Sequence, residues 1–473
     1  MAFEVLGNGV LWRGDGETVR IEAWGRGIRV RAAVMAEIRD ADFALLDDVP
    51  TAGVVRVDGN AATITASGTT VVAEEEVAYH WSAGFHRDRL RLRFQDADGR
   101  VVLEEIGDGG ALMLRAREYR PSAFGGAALR ARFASDPDEY HFVDQYTRFL
   151  DVTNPRARTW LWERLQESYG RHGIDLFWLD EAEPEYGAYE FDHYLYAAGP
   201  TAKVANIYPR DFVRAVGEGQ RANGNDRPLS LVRAAWAGSQ RHGALIWSGD
   251  VHSTWDDLRA QIAAGIHMGV AGIPWFTTDI GGFTGGWVDD PAFRELLVRW
   301  FQFGAFSPVM RLHGDRRPQQ PVATAAGEYR LESGADNEVW SYGPEIEETF
   351  VSYIRLREAL RPYTRALMAE AHEHGTPVMR GLFYEFPDDA CCWQVGDQFL
   401  FGADVLVAPV LEPGATERDV YLPVGATWTD ARTGEEFDGG QTVRAAAPLA
   451  SIPVFARTPE ALALLGELAG VAE

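Results

Sequence analysis

Four apolar runs in this chain each end on a polar side chain of a catalytic type. Ile174, Leu176, Phe177, Trp178 and Leu179 lead into Asp180, Glu181, Glu183 and Glu185, with Pro184 ending regular structure among the acids. Ala244–Trp247 leads through Ser248 and Gly249 to Asp250. Val270–Thr278 leads to Asp279 and on into Ile280-Gly-Gly-Phe283, and Phe306–Leu312 leads to His313, with Arg311 close before it. A buried strand that emerges with a carboxylate at its C-terminal end is how parallel α/β sheets and barrels present catalytic groups. A single run of this kind is equally well a strand followed by an acidic, solvated turn. Four in succession are not accounted for that way. The runs ending at Asp180 and Asp250 are separated by one more, Pro228–Arg233, so both carboxylates can project into one mouth.

The elements that must position these groups follow from periodicity. Residues 1–142 read as an antiparallel β-sandwich, from alternating runs such as Thr18–Trp24, Gly27–Ala32, Gly53–Asp58 and Asp88–Phe94 with turns between them. From Val143 strands and helices alternate, which predicts βαβ units and a parallel sheet over 143–374. Asn154 as N-cap and Pro155 at the first helical position predict a helix to Tyr169. Further helices are expected over Trp255–Met268, Asp290–Gln302 and Glu347–Glu373, and a short strand over Val339–Tyr342. Residues 375–473 return to β, with strands expected over Phe399–Pro409 and Asp419–Pro423. Thr458 is the expected N-cap of a closing helix.

The chain has 473 residues, 45 basic and 70 acidic, and a net charge of −25. That balance argues against nucleic acid and anionic membrane surfaces as partners and favours a neutral or polar small substrate. Cys391 and Cys392 are adjacent, and neither a structural disulfide nor a metal spacing is expected from them. The N-terminus carries no basic-then-apolar leader pattern and no apolar run reaches spanning length, so a cytoplasmic location is expected. His252 and His267 form no metal constellation. Gly281-Gly282 lacks the strand-to-helix context of a phosphate loop.

Trp178-Leu-Asp-Glu-Ala-Glu-Pro184, Trp247-Ser-Gly-Asp250 with Ser253-Thr-Trp255, Thr278-Asp-Ile-Gly-Gly-Phe283 and Arg311-Leu-His313 together resemble glycoside hydrolase family 31, which contains retaining α-glucosidases and α-xylosidases. The resemblance implies a (β/α)8 TIM-type barrel flanked by N-terminal and C-terminal β-sandwich domains. It implies an exo-acting retaining α-glycosidase, acting on an oligosaccharide or small α-glycoside, with no cofactor. Asp180 then matches the nucleophile and Asp250 the acid/base. Arg233, His313 and Asp279 match sugar-binding residues, and Arg233 is expected to lie closer to Asp180 than to Asp250. Trp178, Trp247, Trp275, Phe276 and Phe283 are candidates for the wall of the sugar pocket or for plain core. Glu183 is expected to support its loop rather than react. The motif Trp-Leu-Asp-Glu-Ala-Glu-Pro-Glu leans towards the α-xylosidase-like branch.

One expectation conflicts with that fold. A (β/α)8 barrel needs eight strands in roughly 250 residues, and only about five are recognisable between Val143 and Glu373. The family has three strands before the nucleophile strand, so the chain reads as internally shortened near 142–143. A non-catalytic sugar-binding or scaffold protein on an incomplete barrel is the alternative function. Homo-oligomerisation is left open.

Overall fold

The structure, a computed structural model, describes residues 3–14, 17–34, 37–38, 53–80, 85–104, 131–132, 146–147, 150–183, 195–323 and 330–470. The chain divides into two compact units, Met1–Ala127 and Ala128–Glu473. The expected shortening near 142–143 lies outside the described residues; beside it, Ala131–Arg132 pairs antiparallel with Tyr146–Thr147.

In the first unit, strands Phe3–Leu6, Gly9–Gly14, Glu17–Trp24 and Gly27–Val34 form one antiparallel sheet. Val54–Asp58, Ala61–Ala66, Thr69–His80, Phe85–Gln95 and Val101–Glu104 form a second. Alternate residues of the two sheets share one core: Val10, Trp12, Val19 and Ile21 from the first, Ala62, Ile64, Val71 and Leu92 from the second. This is the alternation of a sandwich. Trp12 Nε1 donates across it to Glu75 Oε1 at 2.9 Å.

The second unit is built on a parallel sheet of four strands in the order Phe177–Leu179, Ser230–Val232, Ala244–Trp247, Phe276–Thr277. The outward side chains Phe177, Leu179, Val232 and Ile246 pack on Val213 and Val216 of the helix Tyr208–Ala222. Glycine lets that helix come close: a Cβ on Gly217 would lie 2.6 Å from the His242 carbonyl oxygen. Helix Pro155–Ser168 is capped as expected, Asn154 Oδ1 accepting from the Arg156 amide at 3.0 Å. Asp290 caps Pro291–Ala305 in the same way, and Thr458 caps Pro459–Leu464.

Several elements differ from expectation, each for a local reason. The nucleophile-motif strand is shorter than the apolar run, with Ile174 45% and Leu176 63% exposed. Phe306–His313 is not a strand. It turns at Ser307, then runs beside Phe276–Thr277, with the Val309 amide donating to Phe276 at 3.1 Å and the Ile280 amide to Arg311 at 3.3 Å. Val339–Tyr342 is a turn: the Ser341 amide donates to the Glu338 carbonyl at 2.9 Å and the Tyr342 hydroxyl to Asn337 at 2.6 Å. The long helix is two, Pro344–Ala359 and Arg361–His374, divided where Pro362 cannot continue the first. Phe399–Pro409 is a hairpin, Phe399–Phe401 with Val405–Val407, turning at Gly402.

That hairpin belongs to a six-stranded sheet buried on both faces. Phe399, Phe401, Val405 and Val407 join Phe303, Phe306 and Phe350 of the helical layer. Leu400, Leu406 and Phe455 face the pair Glu417–Leu422 and Gln441–Ala446 through Val420, Leu422 and Val443. Burial on both faces is why these strands read as continuous apolar runs. Arg299 fastens the helix Pro291–Ala305 to this C-terminal part. Its buried guanidinium donates to the carbonyls of Ala415 at 3.0 Å, Ala447 at 2.8 Å, Pro448 at 3.2 Å and Ser451 at 2.8 Å. Burial pulls its pKa down to about 10, against the nearby Glu295.

We expect Arg299→Ala to cost about 3 kcal/mol or more, because it strands buried carbonyls. Arg299→Lys should recover little, since an ammonium cannot reproduce the planar fork. The midpoint of urea unfolding reads both; a lysine variant with the wild-type midpoint contradicts this account.

Candidate active site

The four parallel strands deliver their polar groups at one end. Asp180 follows Leu179, Arg233 follows Val232, and Asp250 stands three residues beyond Trp247. Gly249, at φ 76°, supplies the left-handed backbone that turns the chain before Asp250. Arg233 lies on the strand between the two acids and reaches both. Its Nε is 3.7 Å from Asp180 Oδ1 and its Nη1 is 3.7 Å from Asp250 Oδ2. The expected bias towards Asp180 is therefore absent. The guanidinium makes its tightest contact with Glu183, Nη2 to Oε1. Glu183 is thus tied to the site by charge as well as lying in its loop. Asp180 Oδ1 also accepts from the Glu181 amide at 2.8 Å, with Glu181 held at φ 51°. Both aspartates are half exposed, at 52% of the side chain, while Arg233 is 14% exposed.

Aromatic rings form a wall beside this trio. Trp178 meets Trp247 edge-on at 5.8 Å between centroids and His313 edge-on at 5.0 Å. Phe283 stacks on His313 at 5.6 Å. Arg311 lies 4.7 Å over Trp178 and 5.7 Å from the Trp247 ring. Trp178 is 49% exposed and Trp247 is buried, so Trp178 offers the open face. Phe276 is buried and turned away: a Cβ on Gly265 of the neighbouring helix would lie 3.2 Å from its ring. Nothing assigns Trp275 to the wall.

Asp279 has no solvent exposure. Its Oδ1 accepts from Arg311 Nη1, and its Oδ2 is buried without a hydrogen bond. Burial pushes its pKa up to about 6 against the opposing pull of Arg311, and Asp250 adds to the rise. Burial, with Arg311 and Arg316 nearby, pulls His313 down to about 4, while Asp180 opposes that shift. His313 is therefore a neutral ring at physiological pH.

Sequence reasoning missed Arg316. It is fully buried and donates to the carbonyls of Gly282 at 2.7 Å, Ile280 at 2.8 Å and His313 at 3.3 Å, and to Asn337 at 3.0 Å. It thereby holds the loops carrying Asp279, Phe283 and His313 together. The only signal was the glycine pair: a Cβ on Gly281 would fall 2.8 Å from Arg316 Nη2. Among the described residues no group of three or more His, Cys, Asp or Glu is placed to hold a metal ion, and no helix is long and apolar enough to cross a membrane.

A parallel-stranded barrel layer with paired carboxylates at its C-terminal end, followed by a C-terminal β domain, defines a glycosidase-type architecture. Residues 122–367 match the glycosyl hydrolases family 31 TIM-barrel domain, and residues 375–461 match the family 31 C-terminal domain. The chain belongs to glycosyl hydrolase family 31. It is 58% identical over 173 residues to an uncharacterized family 31 glucosidase of Pseudescherichia vulneris, covering 37% of this chain and 33% of that protein. It is 38% identical over 309 residues to an α-xylosidase of Saccharolobus solfataricus, covering 64% of this chain and 39% of that one. The chain thus spans a third to two fifths of the length of these curated relatives. A crystal structure of a family 31 α-xylosidase from a soil metagenome, complexed with xylose, superimposes with a TM-score of 0.81 at 31% identity, over 98% of this chain and 100% of that chain.

The two shifted groups give opposite pH signatures in stability. His313, lowered from 6.5, contributes stability that is present above pH 6.5 and lost as pH falls towards about 4. Asp279, raised from 3.8, contributes stability that is present below that pH and lost as pH rises through about 6. We expect His313→Gln to flatten the acid-side fall in Tm and Asp279→Asn to flatten the opposing trend. Calorimetry in steps from pH 3.5 to 7 measures both; unchanged slopes in the variants remove the assignment.

Proposed function

We propose that this chain is a retaining exo-α-glycosidase that removes terminal α-linked xylose or glucose from oligosaccharides or small α-glycosides. The observation that carries this reading is Asp180 and Asp250 at the same end of one parallel sheet, each 3.7 Å from the one guanidinium of Arg233. Retaining glycosidases use two carboxylates about 5–5.5 Å apart, which a shared cation of this size can bridge.

In the first step Asp180 attacks the anomeric carbon while the bond to the leaving oxygen breaks. Asp250 donates its proton to that oxygen. In the second step Asp250 takes a proton from water, the water oxygen attacks the anomeric carbon, and the bond to Asp180 breaks. Configuration is inverted twice and so retained. Asp180 must be ionised and Asp250 protonated at the outset, so the pair should titrate with apparent values belonging to both. Neutral His313 can donate or accept a hydrogen bond to a sugar hydroxyl, and the open face of Trp178 suits the apolar face of a pyranose. Asp279 acts on the sugar side of the site through Arg311. Family resemblance to α-xylosidases and the form of the nucleophile motif support xylose over glucose.

A non-catalytic sugar-binding protein is the second reading, favoured by the exposure of Ile174 and Leu176 beside a sheet of four strands among the described residues. A panel of p-nitrophenyl α-xyloside, α-glucoside and α-galactoside on the purified chain decides between them, since that protein would bind without turnover.

Asp180→Ala is expected to lose at least ~10³-fold in turnover. Azide should give an α-glycosyl azide with Asp250→Ala and a β-glycosyl azide with Asp180→Ala; opposite anomers reverse the two roles. Asp250→Ala should also lose the basic limb of the pH–rate profile and slow sugar leaving groups far more than p-nitrophenolate. Equal losses on both substrate types would remove Asp250 from the acid role.

A further inference from the structure

We propose that Glu183 is a positioning residue for the reacting carboxylates: it anchors and neutralises Arg233, so that the cation is shared between Asp180 and Asp250 and pairs fully with neither. The inference rests on the reading of Asp180 as nucleophile and Asp250 as acid/base. It concerns a side chain argued to act through Arg233.

The geometry carries it. A guanidinium–carboxylate pair closes to about 2.7–2.9 Å when nothing restrains it. Arg233 stands at 3.7 Å from both aspartates, outside hydrogen-bond reach, and in close contact with Glu183. Among the described residues, Glu183 is the carboxylate in closest contact with the cation. Its second oxygen, Oε2, is buried and takes no hydrogen bond, so Glu183 is retained there at some cost and chiefly by its charge partner.

The chemistry needs that restraint. A full ion pair lowers a carboxyl pKa by 1–3 units. Were Arg233 to close on Asp250, the acid would be ionised when it must carry a proton. Were it to close on Asp180, the nucleophile would be tied up in a strong pair. Glu183 removes most of the net field of Arg233 while leaving its shape between the two acids. Among the described residues, the other charged groups near the pair are Glu181 beside Asp180, Arg311, Asp279, Arg316 and His313 across the mouth, and His252 with Asp257 beyond Asp250. Of the three carboxylates Asp180, Glu183 and Asp250, Glu183 makes the closest ion pair with Arg233.

The test uses the whole chain. Glu183→Gln keeps the shape and removes the charge. We expect both limbs of the pH profile of kcat/KM on p-nitrophenyl α-xyloside to move to lower pH. The basic limb should move by about one unit, which costs roughly tenfold in rate on its far side, with KM little changed. Glu183→Asp keeps the charge and should bring the limbs back towards the wild-type positions. In an Arg233→Ala background Glu183→Gln should shift nothing further. Limbs that stay in place in Glu183→Gln while Tm falls reduce Glu183 to a support for its loop and overturn the proposal. A full shift that persists without Arg233 also overturns it, because Glu183 would then act through its own field. Carboxyl ¹³C titrations of Asp180 and Asp250, assigned by their Asn variants, give the same answer without turnover. If the wild-type chain is inactive, the glycosidase reading fails, and these titrations alone decide the role of Glu183. Curves that coincide in wild type and Glu183→Gln would end it.

Discussion

A guanidinium cannot shed its charge, so wherever one is buried the surrounding backbone must be arranged to receive it. Much of the second unit depends on that constraint. Arg316 gathers the carbonyls of Ile280, Gly282 and His313. Arg357 gathers those of Ala305, Ser307 and Pro308, at 2.9, 2.7 and 2.7 Å. Arg299 gathers four more from the C-terminal part. In each case the acceptors are carbonyls of turns and loop ends, which no helix or ladder satisfies. Five donors in a rigid fork suit that task, and a single ammonium does not. Loops that would otherwise wander over a strand end are thereby given one position.

The same residue type does a different job at the mouth. Arg233 and Arg311 are bound by carboxylates, and their planes lie against acids and indole rings. At the mouth, cations stand where carboxylates come close together. There the cations lower the repulsion between Asp180, Asp250, Glu183 and Asp279 enough for the four to coexist. The indole faces of Trp178 and Trp247 attract Arg311 electrostatically, which fixes the cation while leaving the wall apolar and suited to a sugar face.

The fold was legible wherever burial writes a simple pattern. Strands covered on both sides are continuous apolar runs, so the parallel Ala244–Trp247 and the antiparallel Phe399–Phe401 announced themselves, as did the caps at Asn154 and Thr458. The order in which strands present Asp180, Arg233 and Asp250 was legible for the same reason. Val339–Tyr342 misled because its aromatic residues serve a turn and a core contact rather than a strand. The break at Leu360 was in plain view as Pro362 and was outweighed by helical periodicity on either side. Arg299 left no trace and Arg316 only the glycine pair beside it, because carbonyl acceptors belong to every residue and carry no side-chain signature. The place of Arg233 midway between two acids also could not be read, since it depends on Glu183, whose partner is fifty residues away in sequence.

Arg299 has a consequence for how the chain is made. Its carbonyl partners lie 116 to 152 residues downstream. Translation proceeds at roughly 5–20 residues per second. The helix that carries Arg299 therefore leaves the ribosome about six to thirty seconds before the chain that will receive its cation. Through that interval Phe303 of the helix lacks Phe399 of the C-terminal sheet, on which it rests in the folded chain. A nascent chain halted before Ala415 holds all four strand-end groups of the site and still lacks every carbonyl seat for one buried charge, so synthesis of Ala415–Ser451 is the step that anchors the helix carrying it.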